Sequence, residues 1–452
     1  MIVMKFGGTS VKDRAAIERL IGIVQKTPAP VVVVSALAGV TDRLLGIAAE
    51  AGAGDIEAAR KNITGLRQRH HGVASVILDA ALRQQTIDAL DRDFDELERV
   101  ISALAVLGDV SPRWADAIAA TGELASSKIV AAALTSHGTG AAWVDARTVV
   151  VTSADFGAAA PHFERTNAAL QQTVAPLVAQ GLVPVIGGFV GATERGITTT
   201  LGRGGSDFSG AIVGAGLNAD EIQIWTDVDG MLTADPRLVS APVVARHLSF
   251  DEASELAYFG AKVLHPATIQ PAMAKNIPVR ILNSQRPGTD GTLITANRPA
   301  GGHTVTGMAS KTGLTAVNIT STRMLMAYGF LRRVFEVFER HKTSVDVVTT
   351  SEVSVSVTID DRRRLPDIIE ALSEFAEVTT ESDLALICAV GDGIATDRTF
   401  PSRLLGAIDG VPLRMVSQAA SRRNVTIVIG ADDLSAALNR LHDTFFADAV
   451  EA

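Results

Sequence analysis

Four short segments carry side chains whose types and spacing suit the capture of a polyphosphate. Lys5-Phe6-Gly7-Gly8-Thr9-Ser10 places a lysine and a glycine pair between an apolar run and a helical stretch starting near Lys12. Glycine lets a backbone come close to a phosphate, a helix N-terminus adds oriented N–H donors, and the lysine adds positive charge. A plain tight turn is the other reading of Gly-Gly. Leu201-Gly202-Arg203-Gly204-Gly205-Ser206-Asp207 is sharper, with an arginine and an aspartate among three glycines. It follows the polar run Thr198-Thr199-Thr200 and opens a small-residue helix over 208–217. A flexible surface loop is the alternative, but it leaves the placement between an apolar strand and a helix unexplained, and that placement suits anion capture. Trp225-Thr226-Asp227-Val228-Asp229-Gly230 ends a strand and is followed by Ala234-Asp235-Pro236-Arg237. Ligands of open α/β sheets gather at such strand ends, although Asp227-Val228-Asp229-Gly230 also reads as a turn. In Phe259-Gly260-Ala261-Lys262-Val263-Leu264-His265-Pro266, Lys262 sits among small and apolar residues that can hold an ammonium against a phosphate, and His265 reads as a structural cap.

Three other chemistries are excluded by pattern. Asp155-Phe156-Gly157 spells a protein-kinase tripeptide, but no His-Arg-Asp loop or glycine-rich hairpin stands in the required order. No Gly-x-x-x-x-Gly-Lys-[Ser/Thr] element occurs. The twelve-residue calcium-loop pattern is absent around Asp227.

The elements that must position these residues read as alternating strands and helices. Apolar, β-branched runs at 2–4, 31–35, 142–145, 183–187, 221–226 and 279–282 predict strands, and 13–26 and 122–136 predict helices. Such alternation implies a mostly parallel sheet sandwiched by helices. Residues 56–107 are charge-rich and helical throughout, a helical excursion from the sheet. Two turn-rich clusters, 283–292 and 298–302, mark a domain boundary. Beyond it a β-α-β-β-α order appears twice, a ferredoxin-like pattern. The first copy has strands 314–321, 345–350 and 353–359 with helices 329–341 and 362–375. The second has strands 384–390, 413–417 and 425–429 with helices 402–409 and 434–446. The first takes its fourth strand from 378–381. The second runs out of chain, and 304–309 completes it, so the first unit is inserted in the second. The expected domains are 1–298, then 314–382, then 303–312 joined with 383–452.

Composition sets the outer limits. The 452 residues are 47% hydrophobic and 20% charged, with a net charge of −9. This is an ordinary globular balance, and it speaks against a nucleic-acid-binding face, which needs a basic surface. The single Cys388 fits a reducing cytoplasm. The strongest apolar stretch, 182–190, is far short of a bilayer span, and no signal segment precedes the first strand.

The combination of Lys5-Phe6-Gly7-Gly8-Thr9-Ser10, Val34-Ser35-Ala36, Thr121-Gly122-Glu123, Leu201 to Asp207, Trp225-Thr226-Asp227 and Phe259 to Pro266 resembles the aspartate kinases of the amino acid kinase superfamily. The two C-terminal repeats resemble that family's tandem ACT domains. The resemblance implies the amino acid kinase fold plus two βαββαβ ACT domains. It implies phosphoryl transfer from ATP, carried with Mg²⁺, to the β-carboxylate of L-aspartate. It places Lys5, Asp207 and Lys262 in catalysis. Lys5, Phe6, Gly7, Gly8, Thr226, Asp227, Leu232, Arg237, Lys262 and Val263 fall at the nucleotide, with Leu232 where the family often has Tyr. Ser35, Thr41, Glu123, Arg203 and Ser206 fall at the substrate, and no protein metal ligand is implied. A lysine or threonine effector would sit on Met324, Gly329, Phe330, Leu331, Ser344, Val345, Asp346, Thr350, Ser351 and Glu352, at the seam of a homodimer. Met326 and Ala327 stand where lysine-sensitive members often carry polar residues. The alternatives are a superfamily kinase for glutamate, acetylglutamate or a nucleotide, and a catalytically dead amino-acid sensor. Intact Lys5, Asp207 and Lys262 speak against the sensor.

Overall fold

The computed structural model describes residues 1–260, 266–298, 303–321, 328–418 and 420–450. The chain forms two compact units, Met1–Met231 with Val263–Arg298, and Leu232–Lys262 with Pro299–Ala452.

The first unit is built on parallel strands. Their order is Ala141–Val144, Val183–Gly187, Pro30–Val34, Ile2–Phe6, Glu221–Thr226 and Val279–Asn283, with Thr292–Thr295 antiparallel beyond. Pro30–Val34 is buried at every position, as a strand covered on both faces must be. The charge-rich 56–107 stretch forms the helices Ile56–Ala74 and Ala80–Leu107. Asp55 and Asp79 cap them by accepting from the N–H of Ala58 and Leu82. In the longer helix Leu90, Phe94, Leu97, Ile101 and Leu104 form the buried stripe. Helix Pro112–Ser136 is long and apolar enough to cross a membrane by composition, yet 78% of its most apolar window is buried inside the protein. Sequence periodicity does not reveal a three-stranded sheet of Val151–Thr152, Val190–Thr193 and Thr198–Thr200. Strands of two to four residues are too short to show a period.

The second unit carries a six-stranded antiparallel sheet. Its order is Val348–Thr350, Ser354–Ile359, Gly307–Thr320, Glu377–Val390, Asn424–Gly430 and Leu413–Gln418. Two expectations change here. The separate strands at 304–309 and 314–321 are one fourteen-residue strand, Gly307–Thr320, and those at 378–381 and 384–390 are one strand, Glu377–Val390. They pair along their whole length, with register shifts around Leu314. Gly313 and Asp383 have positive φ there, so the chain bends without breaking the ladder. The strand expected at 345–350 is only Val348–Thr350. Ahead of it the Val347 N–H donates to Thr358 Oγ1 rather than to a ladder carbonyl. The Asp346 carboxylate turns onto Lys311 Nζ at 2.9 and 3.0 Å.

The segment Leu232–Lys262 packs with the C-terminal part of the chain in the second unit. Helix Phe250–Tyr258 opens with a capping box between Ser249 and Glu252. The fully buried Glu252 carboxylate accepts from the Ser249 N–H, from Thr306 Oγ1 at 2.6 Å and from the Asp392 N–H at 2.8 Å. Asn439 Nδ2 donates to the Leu238 carbonyl, and Thr233 Oγ1 meets His442 Nε2 at 2.9 Å. Removing a charged acceptor orphans several buried donors at once, at roughly 1.5–3 kcal/mol for a charged hydrogen bond. Glu252→Ala should therefore lower the urea midpoint of the second unit, and an unchanged midpoint would refute the clamp.

Candidate active site

Loops at the carboxyl ends of three neighbouring parallel strands meet two helices around one cavity of about 700 Å³. The first strand brings Lys5 and Gly8, the second is followed by Ser35–Gly39 and Thr41, and Val183–Gly187 is followed by Phe189. Helix Pro112–Ser136 presents Asp116, Ala119 and Glu123, spaced so that they share one face. The fifth contribution is Thr200 and Gly202–Asp207, leading into helix Gly205–Leu217.

Local backbone demands explain the glycines. Gly202 and Gly204 have φ of 77° and 73°, a conformation in which other residues are strained. A Cβ on Gly8 would stand 3.1 Å from the Ala36 carbonyl oxygen. Phe189 also has a left-handed φ of 64°, unusual for a bulky residue. Its N–H donates to Ser209 Oγ at 2.8 Å, and its carbonyl accepts from Leu201.

The charges are unevenly matched. Lys5 Nζ lies 2.6 Å from Asp207 Oδ1, a charge contact whose angle falls short of a hydrogen bond. Glu123 is 3% exposed, and its Oε2 has no hydrogen-bond partner. Arg203 is exposed on the cavity lining and, among the described residues, pairs with no carboxylate. Asp116 is satisfied three times over: Oδ2 accepts from the N–H of Gly157 and Thr200, and Oδ1 accepts from Thr200 Oγ1. It pins two loops that border the cavity. Sequence reasoning misses both Asp116 and Phe189. The position of Asp116 seven residues before Glu123, on the same helical face, was the available signal.

The chain matches the Amino acid kinase family over residues 1–283 and an ACT domain over residues 387–445. It is 35% identical to the chloroplastic Aspartokinase 3 of Arabidopsis thaliana, covering 100% of this chain and 82% of that protein. The chain belongs to the aspartokinases of the amino acid kinase family. Escherichia coli aspartokinase III, solved in complex with aspartate and ADP in its R-state, superposes with a TM-score of 0.82 at 33% identity, covering 99% of this chain and 100% of that one. The same protein in complex with lysine and aspartate, in its T-state, gives 0.82 at 32% identity and 99% coverage of both chains.

Among the expected aspartokinase site residues, the cavity gathers Lys5, Gly8, Ser35, Thr41, Glu123, Arg203, Ser206 and Asp207. Phe6, Gly7, Thr226 and Asp227 are not on its lining. The Phe6 ring is fully buried, stacked 5.9 Å from Trp225, so only its backbone can serve a ligand. The Gly7 N–H donates to the Trp225 carbonyl. Thr226 Oγ1 donates to Asp227 Oδ1. Leu232 and Arg237 belong to the second unit, where Arg237 pairs with Asp235. Lys262 and Val263 lie outside the described residues, as do Met324, Met326 and Ala327.

The effector set is dispersed in character. Gly329 caps helix Phe330–Arg340, Leu331 is exposed, and Ser344, Thr350, Ser351 and Glu352 lie at the surface. Val345 is half-buried. The Phe330 side chain, expected at the effector, instead joins the core edge-on to Phe375. Asp346, expected to await an ammonium, already has one in Lys311, which also pairs with Asp360 at 2.8 Å.

Burial pushes the Glu123 carboxyl up to about 8, against the backbone N–H groups of Ala36 and Glu123 and the Lys5 charge. The native state then keeps a proton that the unfolded chain loses near 4.5. Stability falls as pH rises through that window. Ligand-free Glu123→Gln, neutral at every pH, should melt several degrees above the parent at about pH 8.5, and the gain should vanish near pH 4.5. Equal melting at both values would mean that Glu123 is compensated in the ligand-free protein.

Proposed function

We propose that the chain transfers the γ-phosphoryl group of ATP to the β-carboxylate of L-aspartate, giving 4-phospho-L-aspartate and ADP. One observation carries this reading: Glu123, a buried carboxyl with one oxygen that has no partner, and Arg203, a guanidinium that pairs with no carboxylate among the described residues, line the same cavity as Lys5. An amino acid is a zwitterion and needs both charges. Glu123 takes the α-ammonium. Arg203, with Ser206, takes the α-carboxylate. Ser35 and Thr41 face the reacting side chain. The aspartate and ADP bound to the E. coli relative support the same pair of substrates.

The acceptor carboxylate is ionised at neutral pH, with an ordinary pKa of about 3.9, so the reaction needs no general base. The difficulty is bringing anions together and spreading charge on the transferring group. Lys5 supplies a fixed positive charge, and Asp207 holds its ammonium in place. Lys262 is assigned a second positive charge for the phosphates. The Gly7–Gly8 turn adds the Gly8 N–H, the Gly7 N–H being held by the Trp225 carbonyl, and the first turn of helix Gly205–Leu217 adds the N–H groups of Ser206 and Asp207. Thr226, Asp227, Leu232, Arg237 and Val263 hold the nucleotide. Mg²⁺ travels on the ATP phosphates and neutralises part of their charge; among the described residues no group of three or more His, Cys, Asp or Glu side chains gathers to hold a metal.

We further infer feedback control through the ACT half by a pathway amino acid, lysine or threonine, in a cytoplasmic homodimer that uses neither nucleic acid nor membrane. The lysine complex of the E. coli relative supports the effector class. An effector ammonium at Asp346 has to displace Lys311.

Two variants separate the roles. Lys5→Ala should lower kcat by about 10²–10³, the usual loss of one preorganised electrostatic contact, with the fold intact by circular dichroism. Retention of more than about half of kcat would remove Lys5 from the mechanism. Arg203→Ala should raise KM for aspartate far more than KM for ATP. A larger rise for ATP would move Arg203 to the nucleotide and refute the substrate assignment.

A further inference from the structure

A second cavity, of about 470 Å³, opens in the first unit along helix Arg14–Val24 and shares no lining residue with the active-site cavity. Its floor is Trp225 and Leu282, 5% and 6% exposed, with Ile23 beside them and Pro287 at the rim. Its polar lining includes Arg19, Lys26 and Gln223, and no carboxylate. Among the described residues neither cationic side chain has a hydrogen-bond or ion-pair partner. Lys26 makes no ion pair or hydrogen bond through its ammonium, and Arg19 keeps a buried Nε with no acceptor. An unpaired guanidinium N–H removed from water is costly, and acidic groups outnumber basic ones by 50 to 41 in this chain. Gly22 lies one turn after Arg19 on the same wall. A Cβ there would meet nothing within 4 Å, so the missing side chain leaves room in the cavity.

We propose that this cavity binds a small organic anion with an apolar body and no ammonium group. Arg19 pairs with the anionic head through its planar fork, which suits a carboxylate. The indole of Trp225 and the side chains of Ile23, Leu282 and Pro287 take the apolar part. A lining with cations and no carboxylate gives an amino acid's ammonium no anionic partner and sets it against like charge, so the site selects against zwitterions such as the substrate. The occupant sits against the residue that carries the glycine loop. The Trp225 carbonyl accepts from the Gly7 N–H at 3.0 Å and from Ser10 Oγ at 3.3 Å, and its ring stacks on Phe6.

The test compares 3-phenylpropionate with phenylalanine, which differ by the α-ammonium alone, by calorimetry on the full chain. Wild type should bind phenylpropionate at least about tenfold more tightly than phenylalanine. Arg19→Gln should weaken phenylpropionate binding about tenfold or more, the loss of one charged pair. Gly22→Leu should abolish binding by filling the cavity, while its melting temperature holds or rises, since glycine is the weaker helix former. Both variants should keep aspartate-dependent ADP release, which shows that the unit is folded. No phenylpropionate binding to wild type at about 10 mM would overturn the proposal, because a Kd weaker than millimolar is worth less than about 4 kcal/mol. Binding that survives both substitutions, or equal affinity for phenylalanine, would overturn it as well.

Discussion

The Glu123 carboxyl is removed from water on an apolar helix, with one oxygen unanswered and only backbone N–H groups and the Lys5 charge to offset its burial. A buried charge in that condition is expensive, so the protein keeps it neutral by holding a proton. Gly187 lets the strand below lie against the Glu123 backbone, where a Cβ would meet the Glu123 carbonyl oxygen at 3.0 Å. Gly122 does the same for Ala36 and Val40 on the adjoining loop and helix. The helix is therefore set by close backbone packing, and the carboxylate goes where that packing places it.

The rest of the cavity answers to the same constraint. The Lys5–Asp207 contact ties the first strand to the start of helix Gly205–Leu217. Asp116 ties the helix that carries Glu123 to the strand that feeds the glycine loop. Three carboxylates thus divide the labour. Asp116 is spent on backbone N–H groups and a hydroxyl, Asp207 on a lysine, and Glu123 keeps one oxygen with no hydrogen-bond partner. Arg203 is the matching unspent charge. Sites that need differential electrostatics keep some groups unsatisfied in the resting state and pay in stability.

Much of this was legible in the residue pattern. The buried run Val31–Val34 and the alternation of strands with helices gave a parallel sheet, and the glycine clusters fell at its carboxyl edge. Lys5, Glu123, Arg203 and Asp207 all stand on one cavity, although they are spread over some 200 residues of sequence. What escaped depended on contacts between distant residues. The packing of Leu232–Lys262 against the C-terminal sheet turns on Glu252, whose partners are 54 and 140 residues away. The two fourteen-residue strands read as four in sequence, because Gly313 and Asp383, with positive φ at the register shift, interrupt the strand pattern without breaking the ladder. The role of Asp116 depends on partners 41 and 84 residues away that no spacing rule connects.

The most direct measurement is the number of protons released when aspartate binds in the presence of ADP, by calorimetry in buffers of different ionisation enthalpy. If Glu123 rests protonated and receives the substrate ammonium as a carboxylate, close to one proton leaves per aspartate near pH 7, and release fades above about pH 9. Glu123→Gln, if it binds aspartate at all, releases none. Aspartate binding without proton release at neutral pH in the wild type would contradict the account, because it would mean that the carboxylate was already charged or that the ammonium binds elsewhere.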